Sequence, residues 1–363
     1  MGRAAMQGMS LSFTKSGPYS DPARPGRGAK QILLNVHGVR AGIVVNSNKT
    51  QMAVRASFGY FIESIGAAPD IAARSRTGTG SGTPFYADPM FALFEVLNDS
   101  SASAESGKMI LRYPTGEYFE SDSLATLLPL LLGIVTQNVN ERQDNLCIIH
   151  SASLVTDGRG VMLIGGSGSG KTTLTLALCQ NGFRFLSDEF AAIDMTSRLL
   201  RPFPRPMLPR ENTMKLLGLS TDRQYSFNEP EGRRYLIDPL DRKCGIKIGK
   251  PAAVHSVFLM ERGRGRPSAR PAPSAKALEN IAENSINASH LPKDRRLAML
   301  DVLYHVLTRA NCWTLCSSSI PETVDAVFGA MEQPTRDRQT GMEADLESIY
   351  RQARQKLEQL MAT

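Results

Sequence analysis

The chain has 363 residues, 42% of them hydrophobic and 21% charged, the balance of a globular protein with core material for one large or two ordinary domains. Its net charge of +7 comes from scattered basic residues without an aromatic-studded basic motif or zinc-finger spacing, which argues against nucleic acid as a partner. Five cysteines (Cys147, Cys179, Cys244, Cys312 and Cys316) form no metal pattern and, with no signal-peptide core at the N-terminus, point to a reducing cytoplasm.

Residues 1–29 are rich in Gly, Ser, Pro and Arg and read as a flexible leader. Residues 30–120 read as a small β-rich N-terminal domain. There ILLNVHG and AGIVVNS, joined through Val39-Arg40, form a hairpin or two short strands. A polar loop runs near Thr77 to Thr83, and FALFEVLND and KMILRYPTGEYFES add strand-like segments around a Pro114-Thr115-Gly116 turn. His37 stands alone among strand residues, where a structural role is expected. Residues 121–143 predict a connecting helix, capped at Ser121-Asp122-Ser123 and running from Leu124 to about Arg142. Its apolar run from Leu124 to Val135 is too short to span a bilayer and contains Pro129, so no membrane association is expected.

Residues 144–332 carry the chemistry. LCIIHSASLVTDGRGVMLIG reads as two strands around a turn at Thr156–Gly160. The second strand ends at Ile164, and Gly165-Gly166-Ser167-Gly168-Ser169-Gly170-Lys171-Thr172 follows, a full match to GxxxxGK[ST]. TTLTLALCQ then reads as a helix that stops at Asn181-Gly182. Strand, glycine loop and helix are the context of a phosphate-binding loop. The glycines free backbone N–H groups to converge on phosphate oxygens at a helix N-terminus. Lys171 would reach the β- and γ-phosphates, the Thr172 hydroxyl would ligate Mg²⁺, and Thr173 completes the nucleotide-contacting set.

A further strand, Phe183 to Ser187, ends at Asp188-Glu189, only seventeen positions after Lys171. A short βαβ unit with a right-handed crossover would put both carboxylates beside the phosphates. One would hold Mg²⁺ and the other would take the proton from an attacking hydroxyl; Asp188 is the first choice as base, with the reverse division open. His150, on the strand that leads into the loop strand, is either a core histidine or a catalytic or phosphate-contacting one.

Downstream, Pro202, Pro204, Pro206 and Pro209 exclude regular helix and central strand. Arg201, Arg205 and Arg210 then sit on a rigid extended loop, with Arg205 and Arg210 the better candidates for a phosphate or substrate contact and a solvated loop the plainer alternative. Glu211 is a further candidate Mg²⁺ ligand. Glu229 to Lys247 reads as an exposed lid or substrate loop. AVHSVFLM is the next strand, and Arg262 just beyond it is a second candidate phosphate contact. The Pro/Arg/Gly-rich GRGRPSARPAPSAKA follows, its basic residues suited to an acidic peptide or simply solvated. Residues 293–310 suit a helix, NCWTLCSSSI a strand, and a helix starts at Pro321. Residues 333–363 form a helical tail whose stripe of Leu346, Ile349, Ala353, Leu357 and Leu360 would dock on the body of the protein.

The run His150…GGSGSGKTT…FLSDEF resembles the catalytic core of HPr kinase/phosphorylase. It is more similar still to the HPr-kinase-related proteins of bacterial peptide-modification clusters, lasso-peptide kinases among them. The resemblance covers residues 145–265 well. It implies an α/β fold with a nucleotide-binding core of HPr kinase/phosphoenolpyruvate carboxykinase type, and Mg-ATP-dependent transfer to a serine-type hydroxyl of a peptide or protein. It carries over Lys171, Thr172, Asp188, Glu189 and His150 as site residues, with ATP and Mg²⁺ as cofactors. It also implies a homo-oligomer, and a peptide-binding chaperone is a candidate partner. HPr kinase itself usually carries two aspartates where this chain has Asp188-Glu189, and its downstream glycine-rich signature is absent, so the acceptor is expected to differ from HPr. A non-catalytic ATP sensor and a small-metabolite kinase are the rival classes.

Overall fold

The protein is described by a computed structural model covering residues 12–14, 29–67, 91–98, 109–112, 118–121, 123–220, 226–229, 232–263, 265–333 and 340–362. The leader, apart from Ser12–Thr14 and Ala29, and the loop near Thr77 lie outside these residues. The chain divides into two compact units, Met1–Arg142 with Ser220–Leu236, and Gln143–Leu219 with Ile237–Thr363.

The first unit is built on a mixed seven-stranded sheet. Its elements are β1 (Ser12–Thr14), β2 (Lys30–Val36), β3 (Val39–Val45), α1 (Asn48–Phe58), β4 (Ile62–Ala67), β5 (Phe91–Asn98), β6 (Met109–Arg112), β7 (Tyr118–Ser121) and α2 (Leu124–Glu141). The strand order is β1-β7-β6-β5-β3-β2-β4, with β3 and β5 the parallel pair. The β2–β3 hairpin turns at His37-Gly38 rather than through Val39-Arg40. Both turn residues have positive φ (52° and 95°), as a two-residue turn matched to strand twist requires. Glycine adopts that geometry without strain, whereas β-branched Val39 extends readily into the strand. His37 therefore lies in the turn itself and not among strand residues.

α1 is an element for which the strand-like reading of this region made no place. Ser47 caps it, its Oγ accepting from the Thr50 N–H at 3.1 Å, and Thr50, Ala53, Val54, Ser57 and Phe58 bury one helical face. α2 spans almost the stretch expected, and Leu124, Leu127, Leu128, Leu131, Leu132, Val135 and Val139 are buried. It packs on α1, β3, β6 and β7, so it is a core helix of the first unit.

The second unit holds an eight-stranded mixed sheet. Its first part comprises β8 (Leu146–Thr156), β9 (Arg159–Ile164), α3 (Lys171–Gln180), β10 (Arg184–Ser187), β11 (Phe190–Asp194), β12 (Leu199–Arg201) and α4 (Glu211–Leu216). The chain then passes to the first unit for the hairpin β13 (Ser226–Glu229) and β14 (Gly232–Tyr235). This hairpin occupies the first part of the stretch expected as an exposed lid or substrate loop, Glu229 to Lys247; beyond it Leu240, Asp241, Arg242, Lys243, Gly245 and Lys247 are exposed. The chain re-enters the second unit through buried Ile237, whose backbone exchanges hydrogen bonds with Met207. The remainder is β15 (Ala252–Arg262), β16 (Ser268–Pro271), α5 (Ser274–Glu283), α6 (Lys293–Leu307), β17 (Asn311–Ser317), α7 (Ile320–Glu332) and α8 (Thr340–Ala362).

Alternation along the strands fills a core on each side of this sheet. Leu163, Phe258, Met260 and Leu315 meet Leu174, Ala177 and Leu178 of α3 and Val324 and Val327 of α7. Met162, Ile164, Val257 and Leu259 face the other way, onto α5, α6 and Leu346 of α8. The tail helix thus docks on its own unit, where Tyr350 stacks on Tyr304 (centroids 4.2 Å apart) and donates to Asp301. Among the described residues no helix is long and apolar enough to cross a membrane.

Asn287 ties the start of β8 to the segment between α5 and α6. It is fully buried; its amide donates to the carbonyls of Gln143 (3.1 Å) and Leu146 (2.7 Å), and its carbonyl accepts from Ile148 N–H (3.1 Å). Asn287→Leu leaves these backbone groups unpaired and should cost roughly 2–3 kcal/mol in urea unfolding; a change within experimental error would show that they find other partners.

Candidate functional site

The site is set by β8, which is longer than the strands beside it. Ser151, near its midpoint, pairs with Ile164, the last residue of β9, and His150 pairs with Phe190, the first residue of β11. Ser151 N–H also donates to the Glu189 carbonyl at 3.1 Å. The glycine loop that follows β9 and the Asp188-Glu189 corner that precedes β11 therefore leave the sheet at the same level. The expected βαβ unit has a different form: β8 lies between β9 and β10 over Ser153–Val155. The β8–β9 hairpin takes the edge of β9 where an adjacent β10 would sit, and the corner still arrives beside the loop.

Two loop glycines are required by conformation, Gly168 and Gly170, with φ of 75° and 95°. A third, Gly165, is required by space, since a Cβ there would lie 2.8 Å from Ser169 Oγ and 3.1 Å from Met260 Cβ. Gly166, Ser167 and Gly168 are exposed. Lys171 begins α3 and its ammonium group turns back onto the loop, donating to the carbonyls of Gly165 and of Gly166 (3.3 Å). Burial lowers its pKa, with the nearby Glu189 and Asp188 acting in the opposite direction.

Next to it, Thr172 Oγ1 donates to Asp188 Oδ2 at 3.3 Å. Asp188 is buried, and its pKa is pushed up to about 7, first by desolvation and then by neighbouring Glu189, with Arg205 and the Thr172 hydroxyl opposing. Glu189 is more open. Its Oε1 lies 3.8 Å from His150 Nδ1 and its Oε2 3.7 Å from an Arg205 Nη2. His150 is held below its usual pKa by burial and by the positive charges of Lys171 and Arg205, with Glu189 acting in the opposite direction. Even-numbered Ala152 and Leu154 of β8 face α3, and strand alternation puts His150 on that same face, above the loop.

The proline-rich segment is not a solvated loop. Pro202 through Met207 are buried, and Phe203 N–H donates to the Leu186 carbonyl at 2.9 Å. This course carries the Arg205 guanidinium over the Phe190 ring, 5.3 Å from its centroid. Arg201 lies half-exposed in β12, Arg210 is the exposed residue just before α4, and Glu211 is in its first turn beside Lys215 (3.0 Å). Arg262 is exposed at the end of β15, and its side chain makes no hydrogen bond or ion pair among the described residues. The structure thus brings His150, Lys171, Thr172, Asp188, Glu189 and Arg205 together and leaves Arg210, Glu211 and Arg262 outside that contact set. Thr213 is a member that sequence reasoning missed: buried on α4, its hydroxyl bonds that of Thr173 at 2.8 Å. No local signal marks it, forty positions from its partner.

Three buried side-chain atoms of this cluster, Asp188 Oδ1, Arg205 Nε and Ser169 Oγ, have no hydrogen-bond partner. Buried polar atoms are normally paired, so an acceptor and two donor-capable groups without partners in this cluster fit a charged, oxygen-rich ligand and a cation. Comparison with protein-family models and with curated proteins gives no match, so any function assigned to this site rests on its own residues.

The raised pKa of Asp188 has a stability consequence. Its folded value lies above the usual carboxylate value, so the protonated form is favoured on folding, and that stabilisation is full below about pH 4 and is lost as pH rises towards 7. Asp188→Asn should therefore raise the melting temperature at pH 8, by an amount equivalent to at most about 4 kcal/mol, and the gain should shrink towards pH 4. A gain independent of pH would mean that Asp188 is not the titrating group.

Proposed function

We propose that this chain is a Mg-ATP-dependent kinase of the HPr-kinase-like kind, transferring the γ-phosphoryl group to a serine-type hydroxyl of a peptide or protein. The observation that carries the reading is the meeting of Lys171 and Thr172, at the N-terminus of α3, with the Asp188–Glu189 corner and buried Arg205. The fold class behind it is a phosphate-binding-loop core of HPr kinase/phosphoenolpyruvate carboxykinase type, supported by the strand–glycine loop–helix order.

In this mechanism the loop N–H groups and the α3 N-terminus bind phosphate oxygens, and Lys171 leaves its Gly165 and Gly166 carbonyls to do so. Thr172 Oγ1 and Asp188 would hold Mg²⁺. No cluster of three or more His, Cys, Asp or Glu side chains suited to a metal occurs among the described residues, so ligand and water oxygens would complete its coordination, as is usual for this ion. Bound there, Mg²⁺ supplies charge neutralisation on the transferring group. A carboxylate takes the hydroxyl proton. With Asp188 on the cation, Glu189, the more open of the two, takes that part, and the reverse division is the alternative. Arg205 then balances the charge on Glu189 from a rigid, buried position.

Incubation with γ-labelled ATP, Mg²⁺ and candidate precursor peptides tests the reading. Label should enter a serine peptide or protein with the wild type and not with Lys171→Ala. Glu189→Gln should lower kcat by about 10²-fold or more while ATP affinity stays within a few-fold. Tight ATP binding with no transfer to any peptide, protein or small acceptor would contradict the kinase reading and favour a nucleotide sensor.

A further inference from the structure

We propose that the carboxyl end of β15 and its connection to β16 form a basic rim that docks an acidic segment of the phosphoryl acceptor. The use made of the docked segment rests on the kinase reading; the docking itself rests on the following geometry. β15 runs parallel to β9, so its carboxyl end lies on the side of the sheet from which the glycine loop emerges. Phe258 and Met260 face α3, and Met260 lies against Gly165. Arg262 is the next residue on that face, about 7 Å farther along the strand, exposed and beyond the loop. Glu261, its neighbour, points the other way and is taken by Lys276 at 3.2 Å.

The connection to β16 is tied back onto the end of β17. Gly263 N–H donates to the Ser317 carbonyl (3.4 Å), Ser318 Oγ to the Gly265 carbonyl (2.9 Å), and Ser317 Oγ to the Glu261 carbonyl (3.4 Å). A Cβ on Gly263 would lie 2.0 Å from Cys316 Sγ, so the connection passes close against that side chain. On this segment Arg266 is exposed, and among the described residues no acidic side chain pairs with Arg262 or Arg266; Arg270 of β16 lies across from Thr314 and Leu259, on the other face of the sheet. Exposed guanidinium groups without an acidic partner can meet carboxylates bidentately and select by charge. A segment with carboxylates next to its serine would be held by Arg262 and Arg266 while the hydroxyl enters beside the loop.

Fluorescence anisotropy on the full chain tests this with two labelled peptides, a serine flanked by glutamates and the same serine flanked by lysines. At low salt the glutamate peptide should bind at least about 10-fold more tightly. That preference should collapse in Arg262→Glu/Arg266→Glu and survive in Arg198→Glu/Arg309→Glu, which makes the same charge change at two exposed arginines elsewhere in the unit. Equal binding of the two peptides, or equal loss in both double variants, would overturn the rim. Adding γ-labelled MgATP to the bound glutamate peptide separates the two proposals. Binding without Lys171-dependent labelling leaves the rim standing and counts against the kinase reading; labelling without charge preference does the reverse.

Discussion

The second unit depends on one mismatch of lengths. β8 has eleven residues, and near its midpoint β9 stops on one edge while the chain crosses from β10 to β11 at the other. A strand whose partners end partway must leave loops there, and those loops cannot drift. The Ser151 N–H holds the Glu189 carbonyl, and Gly165 is wedged between Ser169 and Met260. Backbone pairing, which is rigid and obligatory, thereby fixes a cationic loop against an acidic corner to within hydrogen-bond distances. Side-chain packing then adds what the backbone cannot. The buried proline segment carries Arg205 in on a course with little conformational freedom, and Phe190 lies beneath it.

The electrostatics follow from that crowding. Two cations and two carboxylates share a small volume, and they do not pair off evenly. Lys171 spends its donors on loop carbonyls, Arg205 leans on Glu189, and Asp188 is left with one weak hydroxyl contact and a bare oxygen. Desolvation without compensation is costly, and the raised pKa of Asp188 is its signature. Strain of this kind is retained where a ligand relieves it, which is why the unpaired atoms bear on the proposed nucleotide site more than the ion pairs do.

Much of this was legible in the sequence because it is local. The glycine loop, its flanking strand and helix, and the acidic corner lie within one continuous stretch, and each element announces itself by period or turn chemistry. α2 and the β8–β9 hairpin were readable for the same reason. What escaped depends on long-range pairing or on a residue acting out of type. α1 sits among strand-rich segments, yet the Ser47–Thr50 cap and the buried Thr50, Ala53, Val54, Ser57 and Phe58 at helical spacing were its available signals. His37 is an unusual turn residue, so its hairpin was placed two residues late. The burial of the proline segment could not be read from composition, because prolines and arginines dominate solvated loops as well. Thr213 meets Thr173 only through the path of that segment.

The central claim is that the loop from Gly165 to Thr173 and the Asp188–Glu189 corner form one nucleotide-phosphate site. Hydrogen–deuterium exchange with and without Mg²⁺ and a non-hydrolysable ATP analogue tests it most directly. The account predicts slowed exchange at the amides of Gly166–Thr173 together with those of Asp188–Phe190, and no such slowing in Lys171→Ala. Unchanged exchange across the loop, or protection confined to another part of the chain, would contradict it.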